Sequence, residues 1–351
     1  MKVKEFLKSR DIDLSWKNYF VNAMGAMAQG LFASLLIGTI IGPLGDNLSI
    51  AFLSEIAEYA KNGYVCGAAI GIAVAASLKA QGFVLFSCAT VGAMGYMMGA
   101  QITPELMYTA GPAGAFFAVI LACEIGKLVY KRTKIDILVT PLVTILTGFV
   151  ISKLLCPFVA YAMYYVGSFV NNATELRPFI MGIIVSVAVG ILLTLPISSA
   201  AICAMIGISG LAGGAATVGC CCQMVGFAVM SFKANKWGGI IAQGLGTSML
   251  QMGNIVKKPI IWLPTIISSA ILGPVSTLVF KLTNNGIASG MGTCGMVGPI
   301  GMVANALNHN AMFWVSLIFM CIVLPAGLTL GISELFKKFK LYTDEDLKLE
   351  L

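Results

Sequence analysis

The chemistry this chain offers lies in polar groups and chain breaks set inside apolar sequence. One such place is Thr194-Leu-Pro196-Ile-Ser198-Ser199-Ala-Ala. Proline lacks a backbone N–H and so frees a carbonyl one turn earlier. Ser198 and Ser199 add hydroxyls beside it. Freed backbone groups and hydroxyls together can replace the water shell of a neutral, polyhydroxylated solute. A kink satisfied by neighbouring Ser and Thr would need no ligand, and on sequence alone both readings stand. The second place is Ser289-Gly-Met-Gly-Thr-Cys-Gly-Met-Val-Gly-Pro-Ile-Gly301, preceded by Asn284-Asn285-Gly286. Five glycines and a proline in thirteen residues disfavour a regular helix. At membrane depth, irregular backbone is tolerated only where protein buries it or a wet cavity borders it. Pro196, Ser198, Ser199, Gln223, Asn285, Gly292 and Thr293 are therefore the residues placed at a solute site. A third stretch, Gly207-Ile-Ser209-Gly-Leu-Ala-Gly213-Gly214, serves either close helix packing or the tip of a re-entrant hairpin.

Other reactive types offer less. His309, the one histidine, lies between Asn308 and Asn310 near a span boundary; it either touches the solute or sits in an interfacial loop. Glu124 stands three residues before Lys127, which suggests a helical ion pair. Asp136 opens an apolar run and suits a helix N-terminus. No acid lies securely mid-span, so ion coupling through a buried carboxylate is not supported. The ten cysteines show no CxxC pairing. Cys220, Cys221 and Cys222 would point about 100° apart on a helix, which suits packing and not chelation. No metal, cofactor or autonomous catalytic site is expected.

These groups need spans to position them, and the composition supplies spans. Hydrophobic residues make up 58% and charged residues 11% of 351 residues, against about 25% charge in soluble domains; mean hydropathy is +0.91. The expected fold is an all-α polytopic membrane protein of about ten crossings, with re-entrant hairpins. Spans are expected near 19–41, 63–79, 82–101, 109–130, 178–195, 215–232, 238–256, 259–281 and 311–334. Residues 48–60 form an amphipathic surface helix, and 284–306 a broken element. Residues 137–170 are either one kinked helix or a span with an interfacial helix. The 238–256 span borders basic residues at both ends, which suggests that part of it is re-entrant. Ala28-Gln29-Gly30-Leu31 and Ala242-Gln243-Gly244-Leu245 hint at an internal repeat. Basic residues cluster at span ends, as topology signals do. Residues 1–18, of mixed charge and without a signal-peptide core, and 337–351 are expected to be cytoplasmic, flanking a membrane domain at 19–336. Nucleic-acid binding is not expected.

Lys134-Ile-Asp136-Ile-Leu-Val-Thr140-Pro141-Leu-Val-Thr, then Thr194-Leu-Pro196-Ile-Ser-Ser, then Asn284-Asn285-Gly286 with Ser289-Gly-Met-Gly-Thr293 resemble, as an ordered set, the membrane-embedded EIIC components of the bacterial phosphotransferase system (PTS). The likeness covers about residues 20–335 and is nearest to the branch that includes the membrane regulator PfoR. It implies a homodimeric sugar permease of the bacterial inner membrane, which binds sugar near re-entrant hairpins and moves it by an elevator-like shift, the bound sugar then being phosphorylated from the cytoplasm by a separate IIB protein of the IIB/IIA phosphoryl-transfer pair. The chain departs from the glucose and fructose types, whose sugar site carries a Glu: here the comparable stretch reads Gly207-Ile-Ser-Gly-Leu. Two other readings therefore stand beside the sugar permease: a facilitator or secondary carrier without phosphorylation, and a membrane regulator.

The topology makes a direct prediction. A cysteine at Asn47 should react with an impermeant thiol reagent added outside the cell, and one at Lys134 should not; the reverse pattern would overturn it.

Overall fold

The structure, a computed structural model, describes residues 9–38, 41–42, 45, 50–103, 106–306 and 311–349. His309, Asn47 and the Pro104-Glu105 turn lie outside the described residues. The chain divides into two compact units, Met1–Gly38 with Glu55–Tyr164, and Thr39–Ser54 with Tyr165–Leu351. Among the described residues, five helices are long and apolar enough to cross a membrane, and four shorter apolar helices accompany them.

In the first unit, α1 (Met24–Leu31) is extended by π-helical turns at Asn18–Ala23 and Phe32–Leu36. The surface helix expected at 48–60 is α2 (Ala51–Lys61), in which only Ala57 is buried. Then come α3 (Gly63–Ser77) and α4 (Gly82–Met97). The expected span over 82–101 ends early. Gly99–Thr103 is instead β1, paired antiparallel with β2 (Leu106–Thr109), so the hairpin satisfies the backbone that leaves the helix. α5 (Gly111–Val129) carries the expected ion pair, Lys127 to Glu124 at 2.9 Å. The same ammonium donates to the carbonyls of Leu78 (2.8 Å) and Asp11 (2.9 Å), which makes this buried charge tolerable. α6 (Asp136–Thr174) is one helix with Pro141 and Pro157 inside it, which decides between the two readings of 137–170. Asp136 caps it as expected, accepting from the Lys131 N–H and the Thr140 hydroxyl, both at 2.7 Å.

The second unit is built on α9 (Gly210–Met230), of which all but the ends are buried. Around it stand α7 (Pro178–Thr194), α12 (Leu263–Val275) and α16 (Leu324–Lys338). Small residues let these backbones approach and let hydroxyls bridge them. Ser186 donates to the Ser269 carbonyl at 2.8 Å and Ser269 to the Gly219 carbonyl at 3.3 Å. Cys220, Cys221 and Cys222 are wholly buried in this packing.

The other elements of this unit are short. They are α8 (Ser199–Met205), α10 (Phe232–Ile241), α11 (Met252–Lys257), α13 (Gly286–Ser289), α14 (Val297–Asn305) and α15 (Ala311–Ile318). The expected span 238–256 is not one helix. After α10 come a π turn, Ala242–Gly246, extended Thr247, and a 3-10 turn, Ser248–Gln251, before α11. The element at 284–306 is broken as expected, with Gly286, Gly292, Gly295 and Met296 all at positive φ.

The extended chain before α13 lies directly on α9. Asn284 N–H donates to the Gly210 carbonyl (3.2 Å) and Gly286 N–H to the Ile208 carbonyl (2.8 Å). A methyl group at Gly214 would run into the Leu282 carbonyl, whereas one at Gly25 meets nothing within 4 Å. Gly214→Ala should therefore lower the thermal midpoint, at a cost of about 1–3 kcal/mol, and Gly25→Ala should not. Equal midpoints in a melting experiment would contradict this packing.

Candidate functional site

Three chain breaks of the second unit are tied together by hydrogen bonds. At the first, α7 ends at Thr194, and Leu195 turns extended ahead of Pro196. Pro196 and Ser198 are half-buried, and Ser199 is buried, its hydroxyl donating to the Gly290 carbonyl at 2.7 Å. That carbonyl belongs to the second break, between α13 and α14. There Gly292 packs on Cys220 so closely that a methyl group would stand 2.7 Å from its Cβ, and its φ is +53°. Thr293 is buried and donates to the carbonyl of Gly244 at 2.5 Å. Gly244 lies in the π turn of the third break. Thr293 also lies 3.7 Å from the Met224 sulfur on α9.

Gln223 neighbours Met224 and is wholly buried. Its Oε1 accepts from Trp262 Nε1 (2.9 Å), the Thr265 hydroxyl (2.9 Å) and the Thr194 hydroxyl (3.2 Å). Thr194 and Ser248 share a further hydroxyl bond at 2.8 Å. The indole N–H can only donate, which fixes the amide orientation and leaves the Gln223 NH2 group buried with no protein partner. An orphaned buried donor costs about 1–3 kcal/mol. Ser289 Oγ is orphaned in the same way.

The sequence-expected residues divide. Pro196, Ser198, Ser199, Gly292 and Thr293 line the linked breaks, and Gln223 joins them through Thr194 and Ser248. Asn285 is exposed and donates to Asn305 Oδ1 at 2.7 Å. Its neighbour Asn284 is the buried one: it donates to Thr217 (2.8 Å) and the Gly298 carbonyl (3.0 Å), and accepts from the Asn285 N–H (2.9 Å). Sequence reasoning missed Ser248, Trp262, Thr265 and Gly244. The signal for Gly244 was the repeated Ala-Gln-Gly-Leu, which in both copies adjoins or forms a π turn, a feature common at functional sites.

The site is neutral. From Leu176 to Ser333 the chain contains no aspartate or glutamate. Among the described residues, no three His, Cys, Asp or Glu side chains gather to hold a metal. The arrangement offers hydroxyls, amides and main-chain groups, which suit desolvation and hydrogen bonding but not acid–base chemistry.

Long apolar helices, repeatedly broken where neutral polar groups gather, define a multi-pass membrane protein of the transporter class. More particularly, the chain belongs to the EIIC family of the phosphotransferase system. The family model described as "Phosphotransferase system, EIIC" matches residues 21–349. Comparison with curated proteins and with solved structures gives no match.

Thr293→Val removes the donor to the Gly244 carbonyl and should cost about 1–3 kcal/mol, read as a lower thermal midpoint. Thr293→Ser keeps the hydroxyl and should stay close to the parent protein. Equal loss in both would mean that the hydroxyl bond does not hold the breaks together.

Proposed function

We propose that this permease carries a neutral polyhydroxylated solute, a sugar or polyol, received at the three linked breaks. The observation that carries this reading is the buried, unpartnered NH2 of Gln223 amid hydroxyls, in a stretch without a carboxylate. A solute hydroxyl both accepts and donates, so it can take the Gln223 NH2 and offer its own proton to a main-chain carbonyl. Sites built from such groups reject analogues that lack the hydroxyl, because buried polar groups are then left unpaired. Pro196, Ser198, Ser199, Gln223, Gly292 and Thr293 are the residues assigned to it here.

The family implies IIA and IIB partners, and we assign the solute's phosphorylation to a separate IIB chain. The basic residues Lys233, Lys257, Lys258, Lys337 and Lys338 at the ends of second-unit elements support placing those ends in the cytoplasm of a bacterial cell. A homodimer fits the exposed apolar row Leu138, Leu142, Leu146 and Phe149 on α6, which lipid or a second copy would cover. A second reading, a carrier without phosphorylation, is favoured by the absence of the Glu found at the sugar site of the glucose and fructose types.

A thermal-shift screen of purified protein against sugars, polyols and small organic anions separates these readings. A ligand at 100 times its dissociation constant adds about 2.7 kcal/mol. Stabilisation by a sugar or polyol is expected, and its loss in Gln223→Leu would tie it to this site. Stabilisation by anions alone would refute the proposal. Replacing Pro196 or Thr293 should abolish uptake while folded protein remains in the membrane; normal uptake by both variants would remove these residues from the site.

A further inference from the structure

The segment after α16 looks in sequence like a short charged tail, yet it is bound more tightly than a tail needs to be. The Leu347 carbonyl accepts from Asn235 Nδ2 (2.8 Å) and Gln251 Nε2 (2.9 Å). The Leu349 N–H donates to Asn235 Oδ1 (2.8 Å), and the Lys348 carbonyl accepts from Asn254 Nδ2 (2.9 Å). Asp346 pairs with Lys258 at 2.9 Å and Asp344 with Lys337 at 2.6 Å. The Leu347 and Tyr342 side chains are buried, and the Tyr342 hydroxyl donates to Ser333 at 2.7 Å. Burial pushes the Asp346 carboxyl up, but Lys258 and the N–H and hydroxyl of Thr343 outweigh it and hold it below the usual range. Its contribution is therefore complete above the ordinary carboxylate pKa and is lost as pH falls through the lowered value.

The partners of this segment lie on both sides of the break at Thr247. Asn235 is on α10 before it; Gln251, Asn254 and Lys258 follow it. The segment thus splints a broken element, whose π and 3-10 turns belong to the weakly self-supporting class of structure. A hydrogen-bonded path leads inward from the splint. Gln251 Nε2 also donates to Gln243 Oε1 (2.9 Å), and the carbonyl of the next residue, Gly244, holds Thr293. A cavity of about 230 Å³ beside Asn254, Lys258, Asp346 and Lys348 leaves one side of the splint unpacked.

We propose that residues 341–349 are a strap that closes the helix breaks, so that its release loosens the contact between Gly244 and Thr293. The proposal concerns the same breaks as the transport reading, but its test needs no solute, so the two fail independently.

The test uses the full chain in detergent and its own thiols. Cys294, beside Thr293, is buried, as are Cys88 and Cys123 of the first unit. Leu347→Lys removes the strap's apolar anchor, and its release is read as faster tryptic cleavage after Lys340 or Lys348. The rate of maleimide labelling at each cysteine is then followed by peptide mass spectrometry. Release should speed Cys294 labelling by about tenfold, within the usual range of coupling between sites, with Cys88 and Cys123 unchanged. A released strap with unchanged Cys294 overturns the proposal. Should Leu347→Lys raise every cysteine together, the milder pair Asn254→Ala and Asp346→Asn decides. Cys294 rising ahead of Cys88 and Cys123 supports the strap, and all three moving together, or none moving, overturns it.

Discussion

A backbone group inside a membrane protein has no water to fall back on, and leaving one unpaired costs several kcal/mol. Three helix breaks among the described residues of the second unit are linked, and the groups they free find partners within the protein. Thr293 takes the Gly244 carbonyl, Ser199 takes the Gly290 carbonyl, and Asn284 bridges the Gly298 carbonyl and the Asn285 N–H. These bonds also explain where glycine is needed. The bridging chains must lie against α9 closely enough for short side chains to reach, which is why Gly213 and Gly214 face the carbonyls of Asn284 and Leu282.

The same constraint gives the site its chemistry. Side chains that satisfy backbone groups are hydroxyls and amides, and they make a neutral lining. Gln223 stands out because its acceptor is fully used while its donor is not. The proposed solute would supply the hydrogen-bond acceptor that this donor lacks. Hydrogen bonds tie the breaks to each other as well as packing them on α9, so a shift at one is felt at the others, as suits a transport cycle.

Much of this was legible from residue types. The run Ser289–Gly301 announced its break through glycine and proline, and Glu124, Lys127 and Asp136 took the roles that their spacing assigned. The break at Thr247 was not legible as such, because Gln243, Thr247, Gln251 and Asn254 recur at helical spacing and imitate one polar helix face. Asn284 turns inward to Thr217 and the Gly298 carbonyl while Asn285 stays exposed against Asn305, a difference that adjacent identical residues cannot reveal. Trp262, in the 3-10 turn ahead of α12, and Thr265, on α12, read as ordinary span residues until the fold brought both to Gln223. The strap escaped notice because the Leu347 and Lys348 main-chain carbonyls that anchor it to Asn235, Gln251 and Asn254 carry no sequence signature.

The most direct measurement is an experimental structure of the protein with a stabilising sugar or polyol bound. Solute density within hydrogen-bonding distance of Gln223 Nε2, bordered by Thr194 and Ser248, is the expected result. Density only in the first unit, with Gln223 still unpartnered, would contradict the assignment of transport to the linked helix breaks.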